Sequence, residues 1–283
     1  MSGDNTNRLG DYLRARRALV TPEQAGIPAG TNRRVPGLRR EEVAMLAGIS
    51  ADYYMRLERG RDKHPSVQVL MALARVLNLD DVERQYLLDL AGPPRQTSRR
   101  RRTERVPARL YHLLATIGVP SFIENHAYDV LASNPLALAL SPRLRPGENR
   151  LRSLMLDPEE RKFHADWESA TEQFVAAFRR SIGEDTEDER VVELIGELTL
   201  ASARFRTLWA RHDVRQLVGG TAEVNHPVVG TLHLNREKLP VDGLILVLYY
   251  ADEGSESAEK LQTLASLSAS GTTAAPRDHQ PSA

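Results

Sequence analysis

The 283-residue chain contains no cysteine, which excludes a disulfide framework and a thiolate zinc site and fits a reducing compartment. No apolar run approaches the roughly 18 residues of a membrane span, and the opening MSGDNTNRLG lacks a basic segment leading into an apolar core. A soluble, cytoplasmic protein with no membrane partner is expected. A glycine-rich phosphate loop is missing, as is any recognisable spacing of nucleophile, base and oxyanion donors. The chain reads as a non-enzyme with no cofactor. Net charge is also absent, because 38 Lys and Arg balance 38 Asp and Glu. That balance conceals a division. Up to Ala108, 20 basic residues face 13 acidic ones, and beyond it 18 face 25, so halves of +7 and −7 cancel. The basic half is where a polyanion would bind.

What is present begins with residues 38–61, LRREEVAMLAGISADYYMRLERGR, which read as helix, tight turn, helix. Val43, Ala44 and Leu46 form the expected buried face of the first helix, Gly48 breaks it, and Ser50 caps the second. In the second helix Tyr53, Tyr54 and Leu57 are expected to pack inward, leaving Asp52, Met55, Arg56 and Arg59 on the opposite face. A carboxylate accepts from cytosine N4, a guanidinium pairs with guanine O6 and N7, and a helix of this size fits the major groove. Ala51, Asp52, Met55 and Arg56 are the base-reading candidates. Arg39, Arg40, Arg59, Arg61 and Lys63 are the phosphate candidates, the first two beside the positive end of a helix. Glu58 is expected to bond within the fold.

Around this motif, residues 7–19 form a packing helix whose Arg14, Arg16 and Arg17 point mostly outward. A turn-rich insertion over 20–37, carrying Arg33 and Arg34, is either a solvated loop or a reach toward phosphate. Ser66 and Asp80 cap two further helices, and Gly92, Pro93 and Pro94 end the last. Residues 93–108 are a basic linker with Arg99 to Arg102 in a row, either a solubilising tether or a backbone clamp.

From residue 109 the composition is globular to about 268, with a disordered tail over 269–283. Two short strands are expected within 121–134 around a turn at 125–127, and helices near Pro135 and over 149–155. One long helix over 159–180 carries Phe163, Trp167, Ala170, Phe174 and Phe178 on one side. Helices over 187–202 and 203–212 precede strands at 214–218, 222–225, 228–234 and 244–250, the last almost wholly apolar and so central. A helix over 257–268 closes the domain. His164 and Glu168, with His212 and His226, are weighed as a metal or acid-base group and read instead as structural histidines.

The segments GLRREEVAMLAGIS, DYYMRLERGR and PSVQVLMALARVLNL resemble the lambda-repressor-type (xenobiotic-response-element) helix-turn-helix domain in its MmyB-like branch, over residues 7–92. Position by position, Arg40, Ala51, Asp52 and Arg56 match DNA-contacting places, Ala51 being suited to a thymine methyl. In the second half YDVLASNP, ADWE, FRTLWARHDV and HPVVGTLHL resemble the ligand-binding domain of the same family. Ser133 stands where that family usually has an aromatic residue. The resemblance implies an α+β protein: an N-terminal all-α five-helix helix-turn-helix domain (7–92) and a C-terminal PAS-like α+β ligand-binding domain (109–268). It implies a bacterial homodimer that binds a double-stranded DNA operator and senses a long-chain fatty acid or similar apolar molecule. Trp167, Phe174, Trp209, His212 and Tyr249 are the pocket candidates, with Arg211 also considered for a fatty carboxylate. The competing readings are a C-terminal dimerisation or protein-partner module, and an enzyme fused to a DNA-binding domain.

Overall fold

The computed structural model describes residues 7–28, 33, 35–62, 64–92, 105–183, 188–216 and 219–272. In chain order the elements are α1 (Arg8–Leu19), α2 (Arg40–Ala47), α3 (Ala51–Glu58), α4 (Val67–Val76), α5 (Asp81–Ala91), α6 (Ala108–Thr116), β1 (Ser121–Glu124), β2 (Val130–Ser133), α7 (Pro135–Leu140), a 3-10 turn (Pro142–Leu144), α8 (Arg150–Leu156), α9 (Pro158–Phe163), α10 (Trp167–Ile182), α11 (Glu189–Ala201), α12 (Ala203–Ala210), β3 (Gly219–His226), β4 (Gly230–Val241), β5 (Leu244–Tyr250) and α13 (Glu256–Thr272). The whole is α+β. The chain divides into two units, residues 1–100 with 175–216, and residues 101–174 with 217–283.

In the first unit, local chemistry sets the helix starts. Ser50 Oγ accepts from the Tyr53 N–H at 3.2 Å and Ser66 Oγ from Val69 at 3.3 Å. Asp80 and Glu83 exchange bonds at 2.8 and 3.1 Å, satisfying donors that a helix start leaves orphaned. Gly48, at φ 69°, ends α2 in a left-handed conformation that a side chain would strain. Gly10 permits a close approach of chains, since a Cβ there would meet the Glu58 carbonyl at 2.3 Å. The core joins Tyr12 and Leu13 of α1, Leu38, Val43, Tyr54 and Leu57 of the central motif, and Leu73, Leu77 and Leu87. Tyr12 meets Tyr86 edge-on at 5.2 Å.

Three expectations for this region change. Leu46 is exposed at 39% rather than buried, because the inward stripe of this short helix is filled by Val43 and Ala44. Arg16 and Arg17 turn inward, pairing with Glu83 and Glu58 at 2.6 Å each. Arg33 is held locally by two bonds to Glu42, 2.8 and 2.6 Å, and one to the Gly37 carbonyl. Arg34 and the run Arg99 to Arg102 lie outside the described residues.

The same unit holds the end of α10 with α11 and α12. Trp209 stacks on Phe205 at 5.5 Å and lies beside Phe178 at 5.9 Å, with the Arg179 guanidinium 3.8 Å above its ring. Val214 is a core residue rather than part of a strand, and residues 213–216 form no strand. The apolar side chain that suggested one is consumed by helical packing. Residues 217 and 218 of that expected strand lie outside the described residues.

The second unit is built on a five-stranded antiparallel sheet in the order β2-β1-β5-β4-β3. The apolar β5 is central, as expected of a strand covered on both faces. Alternation divides the faces. Phe122, Val247, Tyr249, Leu232 and Leu234 share one core with α7 and α13 residues, while Ile123, Leu244 and Leu246 meet Leu110 and Leu114 of α6. The long helix expected over 159–180 is two helices. Between α9 and α10, His164 bridges to Val224, Ala165 N–H donates to the Glu223 carbonyl at 3.1 Å, and Asp166 accepts from Ser169 N–H at 2.9 Å. Strand β3 thus captures the chain and the helix restarts behind it.

Candidate functional sites

The first site is the outer face of α3. Its inner face is fixed by Tyr54 and Leu57, both fully buried. Ala51, Asp52, Arg56 and Arg59 are exposed on the other side and Met55 is half-buried. The Arg56 guanidinium lies 5.4 Å from the centre of the Tyr53 ring, a stacking that restricts its rotamers without using its donors. Asp52 and Arg56 are four residues apart and therefore neighbours on one helix face. Arg39 and Arg61 are exposed, and Lys63 lies outside the described residues.

Arg40 has a second allegiance. Its Nε donates to Glu58 Oε2 at 2.6 Å, while its side chain stays 44% exposed. Glu58 is wholly buried, and Arg17 holds its other oxygen at 2.6 Å. Burial pushes this carboxyl up, but the bonds from Arg17 and Arg40 outweigh it and hold it below the ordinary carboxylate range. Glu58 is a fold residue. Its backbone carbonyl also accepts from Asn7 and Arg14, at 2.8 and 3.1 Å.

The second site is a cavity of about 200 Å³ in the sheet unit. Its wall combines Leu140 and Leu144, Arg150 and Leu154 of α8, Phe163, His164, Ala170 and Phe174, Val224 of β3, Leu234 and Arg236 of β4, and Tyr249 of β5. Of the pocket candidates, Phe174 and Tyr249 line it. Trp167, Trp209 and His212 do not. Trp167 turns its indole N–H to the Leu154 carbonyl at 2.8 Å, with Arg161 over its ring. Trp209 is absorbed in the aromatic stack of the other unit, and Arg211 there pairs with Asp213 at 2.8 Å. His212, at φ 55°, lies 3.3 Å from Arg179. Burial first, and Arg179 second, push it down to about 4, so the ring is neutral near pH 7.

Beneath the wall lies a polar group that sequence reasoning missed. Glu124, fully buried, accepts from Arg150 at 2.9 Å and Lys238 at 2.6 Å. Arg150 also donates to the Tyr249 hydroxyl at 2.9 Å and lies over the Phe122 and Phe174 rings. Lys238 sits 4.4 Å from the Tyr128 ring centre, and burial pushes it down to about 8 against the pull of Glu124. The signal is in the pattern LHLNREK, residues 232–238. Continued alternation turns Arg236 and Lys238 to the face of Leu232 and Leu234.

Each of these histidines has a partner in the fold. His164, which also lines the cavity, pairs with Glu160 at 3.3 Å. His226 contacts the Ala139 carbonyl at 3.0 Å and accepts from the Val228 N–H. Among the described residues no three His, Asp or Glu side chains are grouped to hold a metal ion, and no helix is long and apolar enough to cross a membrane.

Comparison with known proteins gives two family models, one over each half of the chain. A helix-turn-helix domain model matches residues 8–87, and the model of the MmyB-like transcription regulator ligand binding domain matches residues 106–264, more than half of the chain. No curated protein matches it. With a DNA-binding helix-turn-helix in front and a ligand-binding domain behind, the chain belongs to the MmyB-like transcription regulators.

Proposed function

We propose that this regulator reads a specific operator through the exposed face of α3 and is controlled by a small apolar effector of the fatty-acid kind held in the sheet-unit cavity. The observation that carries the reading is the two-sided character of α3. One face is spent on the core, and the other offers Asp52 and Arg56 with their polar groups free for base edges. Arg39, Arg59 and Arg61 lie where phosphates flank such a helix, and Arg40 serves both Glu58 and the backbone. As a homodimer the protein would place two copies of α3 in successive major grooves, roughly 34 Å apart. The antiparallel sheet with helices against it supports a PAS-like sandwich. The apolar wall of the cavity supports an acyl or similar body. Regulation follows if the effector binds one conformation of the protein more tightly than the other, since only a difference in affinity moves the operator equilibrium. Selection of bound duplexes from a random pool, followed by sequencing, tests the reading. A palindromic consensus is expected, and a pool returned without enrichment overturns it.

A further inference from the structure

The cavity wall contains a buried charge that the fold does not neutralise. Arg236 is only 6% exposed and lines the cavity. Its Nε has no hydrogen-bond partner, and no carboxylate among the described residues pairs with it. Gly220 lies opposite it in β3, so no side chain covers it from that strand. The nearby carboxylate, Glu124, is already shared between Arg150 and Lys238. Among the described residues of this unit, three buried cations, Arg150, Arg236 and Lys238, stand against one buried carboxylate, Glu124. The acidic groups elsewhere in the wall are engaged, Glu160 with His164, Glu223 with His233 and Asp166 with the Ser169 N–H. An isolated guanidinium away from water is costly unless a counter-charge joins it. An arginine whose Nε finds no partner in the fold keeps that arm of its planar fork for a carboxylate.

We infer that Arg236 is the specificity residue of the effector cavity, selecting an apolar molecule with an anionic carboxylate head and rejecting its neutral counterpart. The inference rests on the cavity being the effector site and adds the charge and the orientation of the ligand. The head lies against β4 and the apolar body runs along Leu144, Phe163 and Phe174 toward the mouth. A cavity of about 150 Å³ accepts a benzene ring. On that scale about 200 Å³ encloses about eight carbons, with a longer chain extending through the opening.

Calorimetric titration of the full-length protein with octanoate, octan-1-ol and acetate tests this, alongside Arg236→Met and Arg236→Lys. Wild type is expected to bind octanoate at least tenfold more tightly than octan-1-ol and to bind acetate weakest of the three. Arg236→Met should lose that preference while retaining octan-1-ol, and Arg236→Lys should keep part of it. Without ligand, Arg236→Met should melt at a temperature no lower than wild type, because an unpaired buried charge has been removed. A merely structural arginine would instead lower it. Equal binding of octanoate and octan-1-ol by wild type overturns the inference and leaves the cavity reading standing. Binding of neither overturns both, and acetate matching octanoate shows an anion site unrelated to an acyl effector and overturns the inference. Should Arg236→Met not fold, the wild-type ligand comparison and Arg236→Lys decide the matter.

Discussion

Glu58 offers the sharpest test of how the DNA-binding unit is held together. Its carboxylate is fully buried at the end of α3 and joins α1 through Arg17 to α2 through Arg40. Replacement by Gln keeps the shape and removes the charge. The amide can accept from one guanidinium but presents its N–H₂ to the other. Breaking a buried ion pair from one side costs about 3 to 5 kcal/mol. Here Arg17 is 14% exposed and stays stranded, whereas Arg40 at 44% recovers water. The lower end, about 3 kcal/mol, is therefore expected. Urea denaturation at pH 7, followed by circular dichroism, measures it. The pH dependence provides a second reading. Because the folded carboxyl lies below its ordinary value of 4.5, its contribution is present above that pH and is lost as pH falls through the lowered value. Glu58→Gln should flatten that acid limb. A loss below about 1 kcal/mol, the range of exposed pairs, with an unchanged acid limb would refute the reasoning.

Other expectations can be checked together. Ser50→Ala removes the cap of α3 and should cost about 1 kcal/mol by urea denaturation, with operator affinity falling in step as α3 frays. His212 is held neutral, so the unfolded chain takes up a proton between pH 6.5 and about 4 that the folded one refuses. Stability should therefore fall as pH drops through that window, by roughly 3 kcal/mol for the shift concerned. His212→Asn, which tolerates the positive φ, should remove that slope, and a variant as acid-sensitive as wild type would show that His212 is not its source.

The helices of the DNA-binding unit were legible because their signals are local. Ser50, Ser66 and Asp80 cap where their side chains announce it, and the apolar spacing of α4 and α5 matches one buried stripe. Strand β5 was legible as an unbroken apolar run. The misses come from partners distant in sequence. Apolar spacing from Phe163 to Phe178 runs straight through the break at residues 164–166, which exists because β3 bonds to that backbone. Strand β4 extends to Val241, beyond the expected end at Leu234, with Lys238 pointing inward to Glu124, over a hundred residues earlier. Pocket candidates chosen as aromatic neighbours of helical motifs included Trp209 and His212, whose positions follow from topology rather than composition. The cationic side of the cavity was hidden for the same reason, since charge in a strand reads as a solvated face until its neighbours are known.

The central claim is that Arg56 discriminates bases while the surrounding arginines grip the backbone. Salt-titrated binding of wild type and Arg56→Ala to a selected operator and to a scrambled duplex of equal length tests it most directly. Arg56→Ala should weaken operator binding by about 1 to 3 kcal/mol and leave the scrambled duplex nearly unchanged at every salt concentration. An equal loss on both duplexes, or no loss on either, contradicts it.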